Sequence, residues 1–158
     1  MKYQELVSPE WAQIGFVLFM SFLIGLEREE RRSKDDHFAF GGVRTFPLIG
    51  MIGYSIGLLS DGNSFLPQAL GFAAVSGFLM ISYWHKLTSS GYSGVTSQMS
   101  GLTTHLVGAL VFHEKYWIAI TLTVSSIMLL ELKSGLENLA KRIESEDILT
   151  LSKFLLLS

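Results

Sequence analysis

The apolar residues of this chain are gathered into blocks. Five such segments, residues 11–26, 46–59, 66–84, 99–112 and 116–130, are separated by polar stretches, the densest being EREERRSKDD at residues 27–36. A helix needs about 20 apolar residues to cross the hydrocarbon core of a bilayer, with roughly 17 as the lower bound. The second, fourth and fifth segments must therefore recruit flanking residues or thin the bilayer locally. Core helices of a soluble protein can look alike one by one. Five of them in a chain of 158 residues leave too little polar surface to clothe a soluble globule. The pattern predicts an all-α, polytopic membrane protein with about five transmembrane helices and the lipid bilayer as its main partner.

Composition agrees. Apolar residues make up 49% of the chain and charged residues only 16%, and the mean hydropathy is positive, all unusual for a soluble domain. Twelve basic against fourteen acidic residues leave it nearly neutral, so no global field points to nucleic acid. The absence of cysteine excludes a disulfide framework, a thiolate metal site and a cysteine nucleophile. A signal peptide at the N-terminus fails on its flanks: residues 1–10 are not a basic leader, and Glu27 and Arg28 stand where small residues would be needed for cleavage. Trp11, Tyr83, Trp84, Tyr116 and Trp117 all fall at segment ends, where amphipathic rings favour the headgroup layer.

Charge placement orients the segments. The first loop carries Arg28, Arg31, Arg32, Lys34 and Arg44, the second only Asp61, the third Lys86 and the fourth Lys115; Lys133, Lys141 and Arg142 follow the fifth segment. By the positive-inside rule, loops one and three and the region after residue 130 are cytoplasmic and the N-terminus is outside. If the first helix continues past the bilayer, Glu27 with Arg31 and Glu30 with Lys34 are favourable i,i+4 pairs. The chain then divides into a transmembrane domain at residues 1–133, a cytoplasmic amphipathic helix at 134–147, and the start of a further apolar segment at 148–158. Eleven residues cannot span a bilayer. That last segment is either interfacial or the front of a longer protein, and the second reading is preferred.

Small and polar residues within the segments suggest where helices meet. Gly50, Gly53, Gly57 and Ser60 recur at helical spacing, as do Ser97, Gly101, Thr104 or His105, and Gly108. Such stripes permit close backbone approach in lipid, and self-association of the protein, as a dimer, through a glycine face is expected. His105, beside Thr103 and Thr104, falls near the middle of the fourth segment. A titratable group at that depth faces the bundle interior or a wet cavity. It is either a neutral ring bonded to a neighbouring helix or part of a proton or cation pathway. Glu27 and Arg44 flank one membrane face and form a second constellation, as solvated helix ends or as a partly buried, gate-like pair.

Other chemistry finds little support. His37, His85, His105 and His113 lack metal-ligand spacing. No nucleotide-binding, hydrolase or zinc-protease motif is present, so no enzymatic activity and no cofactor is expected. GYSGVTSQ at residues 91–98 reads as a flexible loop, since no lysine follows to complete a phosphate cradle.

Three motifs, GLERE at residues 25–29, GGVRTFPLIGMIG at 41–53 and GLTT at 101–104, resemble in order and separation the signatures of the MgtC/SapB family of bacterial inner-membrane proteins. The resemblance covers residues 11–130 and matches Glu27, Arg28, Gly42, Arg44, Thr45, Gly101, Thr103 and Thr104 to the motifs. It implies a small helical membrane domain linked to growth under magnesium limitation. The longer loop at residues 31–40, His105 and the SYWHK end of the third segment depart from compact members. They look more like longer relatives that continue with a second membrane half, so magnesium does not transfer directly as the ion. The expected function is movement or sensing of a cation; the alternative is a non-transporting regulatory module that binds another membrane protein. Glu27, Arg28, Arg44 and Thr45 are the candidate gate, and Thr103, Thr104 and His105 the candidate polar path.

Overall fold

A computed structural model describes residues 9–35, 40–60, 65–90, 95–132, 135, 152–154 and 156–157, the side chains of residues 9, 31–35 and 90 excepted. Five α-helices form the body: α1 Pro9–Asp35, α2 Thr45–Leu59, α3 Phe65–Ser90, α4 Thr96–Phe112 and α5 Tyr116–Glu131. Each apolar segment of the sequence lies inside one helix, and no strand occurs among the described residues. The region 134–147 and most of 148–158 lie outside the described residues, apart from isolated positions.

Local chemistry explains the helix limits. All three prolines fall in a first helical turn, Pro9 in α1, Pro47 in α2 and Pro67 in α3, where a missing N–H removes no intrahelical bond. Ahead of α2, Gly41 adopts a left-handed backbone (φ 67°) that a side chain would strain, and the Gly42 carbonyl accepts from the Thr45 and Phe46 N–H groups. At the other end of the bundle, Glu114 (φ 58°) closes α4. The Glu114 N–H donates to Val111 O and the Lys115 N–H to Leu110 O, a Schellman arrangement that turns the chain straight into α5.

The helices are assembled around α4, which touches all four others and meets α2 most extensively. α1 packs on α2, α4 and α5, whereas α3 touches only α2 and α4. α3 and α5 thus lie on different sides of the α1, α2 and α4 core, out of contact with each other. Glycine sets the closeness of that core. A Cβ on Gly53 would strike the backbone carbonyl of His105, and one on Gly108 would strike that of Gly50. One on Gly50 would also meet the Ser21 hydroxyl of α1. Gly50, Gly53 and Gly57 are buried against helices of the same chain, so this glycine face packs the bundle internally.

Much of the outer surface of the helices is apolar. On α1 the residues Val17, Ser21, Ile24 and Arg28, spaced four, three and four, face inward, while Trp11, Leu18, Phe19, Phe22 and Leu26 are exposed. α5 buries Ala119 and Thr123 and exposes Trp117, Ile118, Val124, Met128 and Leu129. Many large apolar side chains face out, while the interior combines apolar residues such as Ile24, Phe46 and Leu79 with buried serine, threonine, glutamine and histidine, as in helices held together in lipid by close packing. α1, over Glu10–Glu30, and α3, over Phe65–Ser89, are long and apolar enough to cross a membrane. α2, α4 and α5, with 15, 17 and 16 residues, are shorter; at 1.5 Å per residue they reach about 22–26 Å against a core of about 30 Å.

Candidate functional site

Two of the three sequence motifs meet at one corner. Gly25 of α1 lies against the backbone of Gly42 and Val43, where a Cβ would come 3.0 Å from Val43 Cα. One turn further on, the Glu29 carboxylate occupies the space that a Cβ on Gly42 would need. Gly25 and Gly42 therefore let the end of α1 and the start of α2 share one surface. Glu29, Gly41, Gly42, Val43, Arg44 and Thr45 line an open cleft there of about 280 Å³.

Within this corner Glu27 is engaged by its neighbour. Arg28 Nε donates to Glu27 Oε2 at 2.7 Å, and the two side chains are 5% and 11% exposed, so the pair is largely removed from solvent. Among the described residues, no ion pair joins Glu27 to Arg44. Arg44 is exposed at the N-cap of α2 and lines the cleft across from Glu29, not Glu27. α1 does continue past its apolar segment to Asp35, but the side chains of Arg31 and Lys34 lie outside the described residues, and with them the two i,i+4 pairs. Lys86, near the end of α3, is also buried at 3% exposure, which its place after an apolar segment gives no reason to expect.

The second place is the interior. α4 buries Ser97, Gln98, Ser100, Thr104 and His105. Its hydroxyls turn back onto their own helix: Ser100 donates to Thr96 O, Thr103 to Met99 O and Thr104 to Ser100 O. Thr103 is only half-buried, so of the sequence trio Thr104 and His105 are the members that face fully inward. His105 is 0% exposed, and neither of its ring nitrogens has a hydrogen-bond partner. The nearest ring is Phe72 of α3, centroids 5.8 Å apart. Both polar atoms of the Gln98 side chain are likewise buried and unpartnered, as are those of Gln68 in α3 and the Ser21 hydroxyl. Gln98, Gln68 and Ser21 escaped the sequence reading because a neutral polar residue in an apolar segment gives no sign of facing inward or outward.

A further polar link lies near the other end of the bundle. The Tyr54 hydroxyl donates to Gln13 Oε1 at 2.9 Å and Gln13 Nε2 donates to the Tyr116 hydroxyl at 3.0 Å, tying α1, α2 and α5 together. Tyr116, expected as an interfacial anchor, also packs edge-on against Phe16. Among the described residues no three His, Asp or Glu side chains cluster as a metal site.

Apolar outer faces on five packed helices, two of them long and apolar enough to cross a bilayer, fit a helical membrane protein. The model of the MgtC family matches residues 14–139, most of the chain, and the protein belongs to that family. Membership places it among membrane proteins linked in general to magnesium homeostasis and transport. Neither the curated proteins nor the solved structures include a match to this chain.

Proposed function

We propose that this protein is a multi-pass protein of the bacterial inner membrane, N-terminus outside, that moves or senses a cation along the polar interior of its bundle. All five helices cross the bilayer in this reading, which thins to accommodate α2, α4 and α5. The observation that carries it is His105, fully buried with both ring nitrogens unpartnered two turns from an unpartnered Gln98. Buried polar atoms are almost always satisfied. Groups left open in a lipid-facing bundle are therefore places for water or a passing ion. The corner of Glu27, Arg28, Arg44 and Thr45 is the cytoplasmic mouth of that route, its charges held where loop one keeps them inside. A hard divalent ion retains several waters, so Mg2+ would pass or bind largely hydrated.

Purified protein in liposomes, loaded with a Mg2+-sensitive dye, tests the reading. Mg2+ uptake down a gradient that falls on Glu27→Gln or His105→Ala supports it. A second reading, a non-transporting module that binds another membrane protein, is favoured by the open apolar face of α3, where Leu70, Phe78, Ile81 and Trp84 are all exposed. Absence of any cation flux together with a stoichiometric membrane partner on purification would decide for that module.

A further inference from the structure

Three of the side chains with unpartnered groups lie along one helix contact. Gly101 of α4 faces Leu79 of α3, and His105, one turn along, meets Phe72, seven residues back in α3, so the two helices run antiparallel along this contact. Gln98 shares the His105 face of α4, about 10 Å away along the axis. Gln68 shares the Phe72 face of α3, about 6 Å further on in the other direction. Gln98, His105 and Gln68 therefore form one row, in that order, along the α3 and α4 contact. It extends about 16 Å, half the thickness of the hydrocarbon core. Every polar side-chain atom in the row is buried and without a hydrogen-bond partner.

The chemistry of the row is selective. It offers two carboxamides and one imidazole but no carboxylate, so a cation stripped of water would find no anionic ligand. Among the described residues, the elements around it add no charge at this depth. α1 has no titratable group from Trp11 to Leu26, and α5 none from Trp117 to Leu130. α2 has only Tyr54, whose hydroxyl is spent on Gln13. α3 has none before Tyr83, and α4 none besides His105. Glu27, Arg28 and Lys86 stand towards one end of the bundle and Glu10 towards the other. A chain of hydrogen-bonding groups interrupted by one imidazole is what a proton needs, since the ring can accept on one nitrogen and release from the other.

We infer that a proton is the ion that travels the α3 and α4 row, relayed at His105 between water held by Gln98 and water held by Gln68. The ring gains a proton at one nitrogen, loses one at the other, and returns to its starting tautomer by rotation; one proton has moved and no other bond has changed. This rests on the cation-path reading above and names the ion. α3, which among the described helices touches α2 and α4 alone and otherwise meets Phe40, is the wall of the row that can yield to admit water.

The test uses the full chain in liposomes enclosing a pH-sensitive dye, with a K+ diffusion potential applied in Mg2+-free buffer. Wild-type protein acidifies the lumen, His105→Gln slows this about a hundredfold, and Gln98→Leu and Gln68→Leu slow it severalfold. Leu129→Ala, on the exposed face of α5, keeps the wild-type rate. Should His105→Gln fail to assemble, Gln98→Leu, which leaves the imidazole in place, decides alone. Proton flux unchanged in these variants overturns the inference. Mg2+ entry in the dye assay without proton flux overturns it too, while leaving the cation-path reading standing. Loss of both fluxes in the wild type removes both.

Discussion

Glycines in this bundle divide by what a methyl group would meet. At Gly53 and Gly108 the obstacle is backbone carbonyl of the facing helix, which cannot rotate away. Gly53→Ala and Gly108→Ala are each expected to destabilise the protein by about 1–3 kcal/mol, the usual cost of overpacking. At Gly77 nothing lies within 4 Å, so Gly77→Ala should be neutral or stabilising by up to about 1 kcal/mol through helix propensity. Thermal unfolding in detergent checks the contrast. The Glu27 and Arg28 pair is a residue-scale matter as well. With both side chains mostly buried, removing the cation leaves a carboxylate in poor solvent, and Arg28→Ala is expected to cost about 3–5 kcal/mol. If the same measurement gave Arg28→Ala a loss below 1 kcal/mol, about that of an exposed pair, the pair would have to be solvated.

Elements differ in how firmly they are held. α4 has neighbours on all sides, α2 and α1 close around it through glycine and serine, and the Gln13, Tyr54 and Tyr116 chain of hydrogen bonds adds a clamp between α1, α2 and α5. α3 has the longest unbroken apolar run of the bundle but presents most of it outward. Its stability comes from length and lipid more than from packing. Hydrogen exchange of the protein in nanodiscs should reveal amides of α3 exchanging ahead of those of α4, and equal protection of the two would contradict the loose attachment. This ordering also suits α3 to form the yielding wall of the polar row.

For the molecule as a whole, the proposed orientation makes a clear prediction, and the lack of cysteine supplies a background-free way to test it. Single cysteines placed at Asp61 and at Lys115 should react with a membrane-impermeant maleimide on intact spheroplasts, whereas one at Lys34 should react only after lysis. Reaction of the Lys34 position from outside would invert the topology and with it the assignment of the Arg28 and Arg44 corner as a cytoplasmic mouth.

The five helices were legible from the chain alone, because each apolar run is long enough to be marked as a helix whatever its neighbours are. So was His105 as an odd residue, since a titratable group in an apolar run is costly wherever it points. Family motifs marked Gly25, Gly42 and Gly101, but not that the first two meet. Pairing depends on which faces touch, and helical periodicity constrains a face without naming its partner. Only the tertiary structure joined Glu27 to Arg28 in place of Arg44, turned the Gly50, Gly53 and Gly57 face inward onto α4, and lined up Gln98, His105 and Gln68 across two helices. The last two bring together residues far apart in the chain, fixed by how closely backbones can approach, and the first is a choice between two cations; a linear pattern of polarity carries no record of either.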